Sequence, residues 1–324
     1  MKNSNFTINK PLSYDASKVV LKSISLEKRE AINKRIPSLR VIDSLFPYEL
    51  EKLQVSNYFF QINDTEWSFN PQETGENHCN LRMSRDKQKL PTRRLEISHD
   101  AAYRKLCDAY IRNGTRTRYF DFSKVPGFLS DRDPEEFKLK VQTLELSPLN
   151  TVADYEHLAR FIELGTLKRV IYAMNSRNRG ILDKPEIKTC KELILITRSR
   201  HFPLTLETLL GLQNEHLILQ DTEFAHLHGL VETWLASDKP IGSRFSWGQT
   251  DYADVLNIHK RFEEEKGAVP WKHPRLGNSF YAHGVKLSMG EGRDLVMFGG
   301  STKTEKKFNI APWTFDMEIM AADV

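Results

Sequence analysis

Four short apolar runs recur through the middle of the chain at nearly constant spacing. They are 143–147 (TLELS), 169–173 (RVIYA), 192–197 (ELILIT) and 216–220 (HLILQ), centred on Leu144, Ile171, Ile194 and Ile218. The steps between centres are 27, 23 and 24 residues. Runs this short, rich in Leu, Ile and Val, read as buried strands. A repeat of about 20–29 residues, with one strand per unit, predicts a leucine-rich-repeat-like solenoid.

The segments between the runs carry helix signals of unequal quality. Thr151 or Asp154 can cap a helix with Tyr155, Leu158, Ala159 and Ile162 on one face, closed by Gly165. After Ile171 the signal is poor, with Gly180 and Pro185 and at best a short helix near 186–191. Thr205 caps a brief helix stopped by Gly211, and Thr222 opens a longer one through Leu235. Strand–helix alternation of this kind belongs to a right-handed solenoid, and an open α/β domain with a parallel sheet is its structural rival. A further helix follows Thr250 and stops at Gly267. Beyond it the chain reads as β-rich. Strand 295–298 precedes a turn at Gly299-Gly300, and Phe315, Met317 and Ile319 alternate with Thr314, Asp316 and Glu318. That period of two predicts a strand with one buried face, serving as a cap on the repeats.

Composition narrows the class. With 40% hydrophobic and 28% charged residues, the chain has the means to build a core and is not a disordered polymer. Its 47 basic residues nearly balance 43 acidic ones, so a general affinity for polyanions does not follow. Cys79, Cys107 and Cys190 are odd in number and lack C-x-x-C spacing, which argues against a disulfide framework or a zinc site and for a reducing compartment. The first residues, MKNSNFTINK, show no apolar signal core, and an intracellular location, cytoplasmic or nuclear, is expected.

Residues 11–47 read as three short helices. Ser13 or Asp15 caps the first, the second runs over 26–35, and the third starts at Pro37 and ends at Pro47. A β-hairpin follows, with Leu53 to Ile62 before a turn at Asn63-Asp64 and Trp67 and Phe69 after it. Residues 70–94 lack a period and are expected to form a loop holding Arg82, Arg85, Lys87, Lys89, Arg93 and Arg94. A helix capped by Ser98, with Tyr103, Leu106, Cys107 and Tyr110 on one face, ends at Asn113-Gly114. Strand 117–122 comes next.

Several stretches carry a resemblance. PLSYDASKVVL (11–21), RIPSLRVID (35–43), INDTEWSF (62–69), ISHDAAYRKLCDAYIRNGTRTRY (97–119) and FAHLHGLVETWLASDKPIGSRFS (224–246) keep their order along most of the chain. In these the sequence resembles the nematode F-box C type family. The resemblance implies a diverged F-box over 1–47 that docks on the Skp1 adaptor of ubiquitin ligases through Pro11, Leu12, Val20, Leu21 and Ile24. With the element signals above, the chain divides into 1–47 (F-box-like), 48–140 (hairpin, charged linker and helix), 141–250 (repeat-like) and 251–324 (helix and β-rich cap).

Motifs for chemistry are few. His226-x-His228 does not present a helical pair, and no acidic or Cys ligand stands at metal spacing. Gly290-x-Gly292 lacks a third glycine and reads as a turn. No cofactor, metal or catalytic residue is expected. The expected function is that of a non-catalytic adaptor that holds a target protein for a Skp1-containing ubiquitin ligase. A scaffold without a ligase link is the alternative, and nucleic-acid binding through 82–94 and 112–118 a third reading.

Overall fold

The computed structural model describes residues 13–56, 58–70, 77–123, 127, 129, 132–197, 204–220, 224–249, 251–274, 283–301 and 312–322. The chain forms two compact units. The first comprises Met1–Tyr119, Pro126–Val141 and Phe161–Glu163, and the second Phe120–Val125, Gln142–Arg160 and Leu164–Val324.

The first unit opens with three helices, α1 (Tyr14–Ser23), α2 (Leu26–Arg35) and α3 (Leu39–Ser44). Ser13 caps α1 by accepting from the Ala16 amide at 3.2 Å. The third helix starts at Leu39 and not at Pro37, with Ile36 outside the helical region at φ −127° and ψ 82°, as a residue before proline favours. An antiparallel meander follows: β1 (Glu49–Ser56), β2 (Phe59–Ile62), β3 (Thr65–Phe69) and β4 (Cys79–Arg85). Asn63 turns the chain between β2 and β3 with φ of 49°, a left-handed conformation that asparagine tolerates.

The expected loop over 70–94 is overturned. Besides β4 it contains β5 (Gln88–Lys89) and reaches β6 (Arg93–Leu95), both paired with β4. Its strands carry charge because the sheet buries one face only, so apolar alternation is confined to Cys79, Leu81 and Met83. Helix α4 (His99–Tyr110), capped by Ser98, covers the buried face. Tyr103 meets Phe60 at 6.0 Å between ring centres, and Tyr110 meets Trp67 at 5.3 Å. Cys107 is fully buried in this core. The strand after α4 is β7 (Arg116–Phe122).

The second unit is built on the apolar runs. They form β8 (Lys140–Leu146), β9 (Arg169–Met174), β10 (Glu192–Thr197) and β11 (His216–Gln220), joined by β12 (Arg244–Gln249). All five are parallel and lie side by side in chain order. Past β12 the sheet turns antiparallel through β16 (Trp313–Ala321), β15 (Arg293–Ser301), β14 (His283–Gly290) and β13 (Val269–Lys272). The unit is thus mixed α/β on a large mixed sheet, with antiparallel strands in its last part.

Every connector is helical. They are α5 (Val152–Ala159), a 3-10 turn (Arg179–Asp183) leading into α6 (Pro185–Thr189), α7 (Leu206–Leu210), α8 (Leu227–Leu235) and α9 (Tyr252–Lys266). Each touches the next. Tyr155 donates to Glu186 at 2.6 Å, Arg179 to Thr208 at 3.5 Å, Gly229 abuts Leu206, and His228 stacks on Phe262 at 4.8 Å. Such a chain of contacts places the connectors on one side of the strands. Residues in register share a face and successive residues alternate. Leu144, Val170, Leu193, Phe245 and Met317 form one fully buried row on the helix side.

Two expectations in the last part fail. Gly299-Gly300 is no turn but lies within β15. A Cβ on Gly299 would strike the Tyr252 ring, and one on Gly300 the Asp316 carboxylate and Thr314 hydroxyl. Strand β16 is also buried on both faces. Phe315, Met317 and Ile319 are inaccessible, and Asp316 is too. The turn at Gly290-Glu291-Gly292 is observed, all three residues having positive φ.

Candidate functional site

Helices α1 and α3 of the first unit expose aliphatic side chains. Val19 is 67% exposed and Val20 38%, while Val41 on α3 and Leu45 just after it are 73% and 64% exposed. Tyr14 and Ile36 are exposed as well. Of the residues expected to dock an adaptor, Val20 is on this surface and Ile24 is half-buried. Leu21 is not available. Its side chain is 1% exposed, because with Ser17 it forms the inward-facing i, i+4 stripe of α1. Pro11 and Leu12 lie outside the described residues.

Beneath these helices sits a buried charge network. Asp43, at the end of α3, accepts from Arg29 Nε at 2.6 Å, from Tyr48 Oη at 3.0 Å and from Arg112 Nη2 at 3.2 Å. The two guanidiniums also donate to main-chain carbonyls. Arg29 reaches those of Asp43, Phe46 and Pro47, and Arg112 those of Asp43 and Phe46. Each guanidinium lies 4.2 Å from the centre of the Tyr48 ring. Burial pushes the Asp43 carboxyl up, but the Arg29 hydrogen bond and the charges of Arg29 and Arg112 prevail and hold it below the usual carboxylate value. Burial also raises the Tyr48 phenol to about 12. A cleft of about 560 Å³ opens beside Arg112, lined by Ser44, Asn113, Phe137 and the Arg132–Asp108 ion pair.

The basic stretches divide. Arg82, Arg85, Lys87, Lys89, Arg93 and Arg94 are exposed, but Arg112 is engaged on Asp43 and Tyr48. Arg116 and Arg118 lie 3.5 Å from Glu49 and Glu51.

Similarity to known proteins is narrow. Residues 98–251 match the family model of a domain of unknown function, DUF3557. The match starts at the cap of α4, spans the five parallel strands and stops after β12. No curated protein and no solved structure matches the chain.

Within that matched region, the side of the parallel strands opposite the connectors carries a polar row at the start of the strands, next to the apolar row of Ile171, Ile194 and Ile218. Thr143, Arg169, Glu192, His216 and Arg244 stand in one register row, all half-buried. Arg169 pairs with Glu192 at 2.8 Å. His216 Nε2 lies 2.8 Å from Ser246 Oγ, and Ser246 donates to Asp316. Arg244 Nη2 and Thr314 Oγ1 also donate to Asp316, at 2.9 and 2.7 Å. Burial, with the Arg244 charge adding to it, pulls His216 down to about 4 and keeps it neutral. Serine stands between histidine and aspartate here.

This row escaped the sequence reading, although a signal existed: Arg169, Glu192, His216 and Arg244 are each the first residue of their strand. The two histidines of His226-x-His228 part: His228 faces Glu265 at 3.5 Å and His226 is exposed. Among the described residues no three His, Cys, Asp or Glu side chains cluster as metal ligands, and no helix is long and apolar enough to cross a membrane.

Proposed function

We propose that the chain is a non-catalytic, intracellular interaction adaptor. In this reading the N-terminal helices are F-box-like and dock on a Skp1-type subunit of a ubiquitin ligase. The strand–helix region is leucine-rich-repeat-like and holds the target, and ubiquitin transfer belongs to other subunits. Its contribution is then one of effective concentration, with the target held near the ligase. The observation that carries the reading is the exposed aliphatic face of α1 and α3. Val19, Val20, Val41 and Leu45 stay in water at a cost that a partner would remove, at about 25 cal/mol per Å² before association costs. Parallel strands in chain order, with contiguous connectors on one side, support the repeat-like description.

A scaffold with no ligase link is the second reading. It draws on the Asp43 network, which makes the helices part of the first unit's own core. Affinity purification of the full chain decides between them. The ligase reading expects a stoichiometric Skp1-type subunit, lost in Val20→Asp and Val41→Asp while the melting temperature is unchanged. A folded wild-type chain that recovers no such subunit, or variants that bind as well as wild type, would remove that reading and leave the scaffold.

A further inference from the structure

We infer that Arg112 and Tyr48 are positioning residues for the docking face, acting through the end of α3. This rests on the adaptor reading above. Helix α3 is six residues long, too short to persist on its own propensity. Apolar burial holds it only in part: Leu39 and Ile42 are half-buried, Val41 and Leu45 point to solvent, and its buried side chain is Asp43. What fixes it is polar. The last turn of a helix leaves carbonyls without partners. Here the Arg112 guanidinium supplies donors to the carbonyls of Asp43 and Phe46 and also to the Asp43 carboxylate. A cation at this end further opposes the helix dipole.

Arg112 itself is set from outside the helices. It follows α4, and Tyr48 Oη accepts from its Nη2 at 2.7 Å while donating to Asp43. Tyr110, at the end of α4, donates to Glu30 on α2 at 2.6 Å, which ties the same two regions a second time. The surface presenting Val41 and Leu45 is therefore completed by residues far beyond the helices in sequence. Residues 13–46 alone keep the Arg29 donors to Asp43 and Phe46 but lack those of Arg112 and Tyr48.

The test uses the full chain with Arg112→Gln, the milder Tyr48→Phe, and Arg132→Gln at the cleft rim as control. Two quantities are read: hydrogen exchange of the Leu45 and Phe46 amides, which close α3 onto Ile42 and Asp43, and affinity for a purified Skp1-type subunit. Arg112→Gln is expected to speed that exchange and to weaken the affinity, each by at least tenfold, with β2 and β3 amides unaltered. Tyr48→Phe is expected to shift both in the same direction by a few-fold, and Arg132→Gln neither. Unchanged α3 exchange, or faster exchange with full affinity, would overturn the inference. A wild-type chain that does not bind the subunit removes the adaptor reading instead, and the exchange data then judge the latch by themselves.

Discussion

Replacing Asp43 by Asn asks how much the buried network contributes to the first unit. The change preserves size and removes one charge. It turns one acceptor oxygen into a donor facing Tyr48 Oη and Arg112, both donors already. Arg29 is 4% exposed and would keep only carbonyl partners for a buried guanidinium. Removing one member of a buried ion pair costs about 3–5 kcal/mol, a large share of the roughly 5–15 kcal/mol that holds a domain together. Hydrogen exchange read by mass spectrometry separates peptides of the two units. The loss converts to exchange faster by about 10²–10⁴-fold in β2 and β3, with peptides of β9 to β11 unaffected. The pH dependence has a definite sign. The Asp43 carboxyl is depressed in the folded chain, so its contribution is complete above the ordinary aspartate value near 3.8 and fades as pH falls through the lower folded value. Wild type should thus keep its advantage over the variant at pH 5. A difference below about 1 kcal/mol at pH 7, or one already gone at pH 5, would refute the reasoning.

Three further expectations concern the rest of the molecule. His216, facing Ser246, Asp316, Arg244 and Arg169, and His259, packed against Phe315, are both lowered by burial from near 6.5 to about 4. The unfolded chain binds protons that these sites refuse, so the second unit should lose about 3 kcal/mol per histidine as pH falls from 6.5 to 4, read from urea midpoints. The same slope in a chain carrying His216→Gln and His259→Gln would contradict this. Gly284→Ala should break β14 from β15, since the new methyl would collide with the Met297 carbonyl; unaltered amide protection along β14 would count against it. Cys107 and Cys190 have thiols pushed up by burial, Cys190 to about 12, and Cys79 is raised in the same way. All three should resist iodoacetamide in the folded chain, and labelling in seconds would show the burial to be mistaken.

What the sequence disclosed follows from which forces are local. The strands β8 to β11 announce themselves because a sheet buried on both faces needs continuous apolar runs, and Ser13, Ser98, Thr151 and Thr205 mark caps because their bonds reach only two or three residues. Strands β4 to β6 were hidden by their exposure: alternation is weak when a strand buries one face at a sheet's end. Leu21 read as a contact residue since its partners inside the unit cannot be inferred from spacing. Arg112 looked like part of a basic stretch, and only tertiary structure sets it 69 residues away on Asp43. Asp316 was assigned to a solvated face because the donors that permit its burial, Arg244 and Ser246, come from another strand.

Strand β16 is the last described strand in sequence but an interior one in space, set between β12 and β15. During synthesis, β8 to β12 can pair as each emerges, since every partner is the preceding strand. They then wait with β12 as an open edge, while β13 to β15 form a separate antiparallel piece. Only when residues 313–321 arrive does one segment satisfy both pieces at once, burying Asp316 against Arg244 as it does so. A ribosome-bound or truncated chain that lacks this segment would present two unpaired strand edges, the kind of surface that recruits chaperones or self-associates. Completion of the second unit is therefore a late, all-at-once event in the life of the chain.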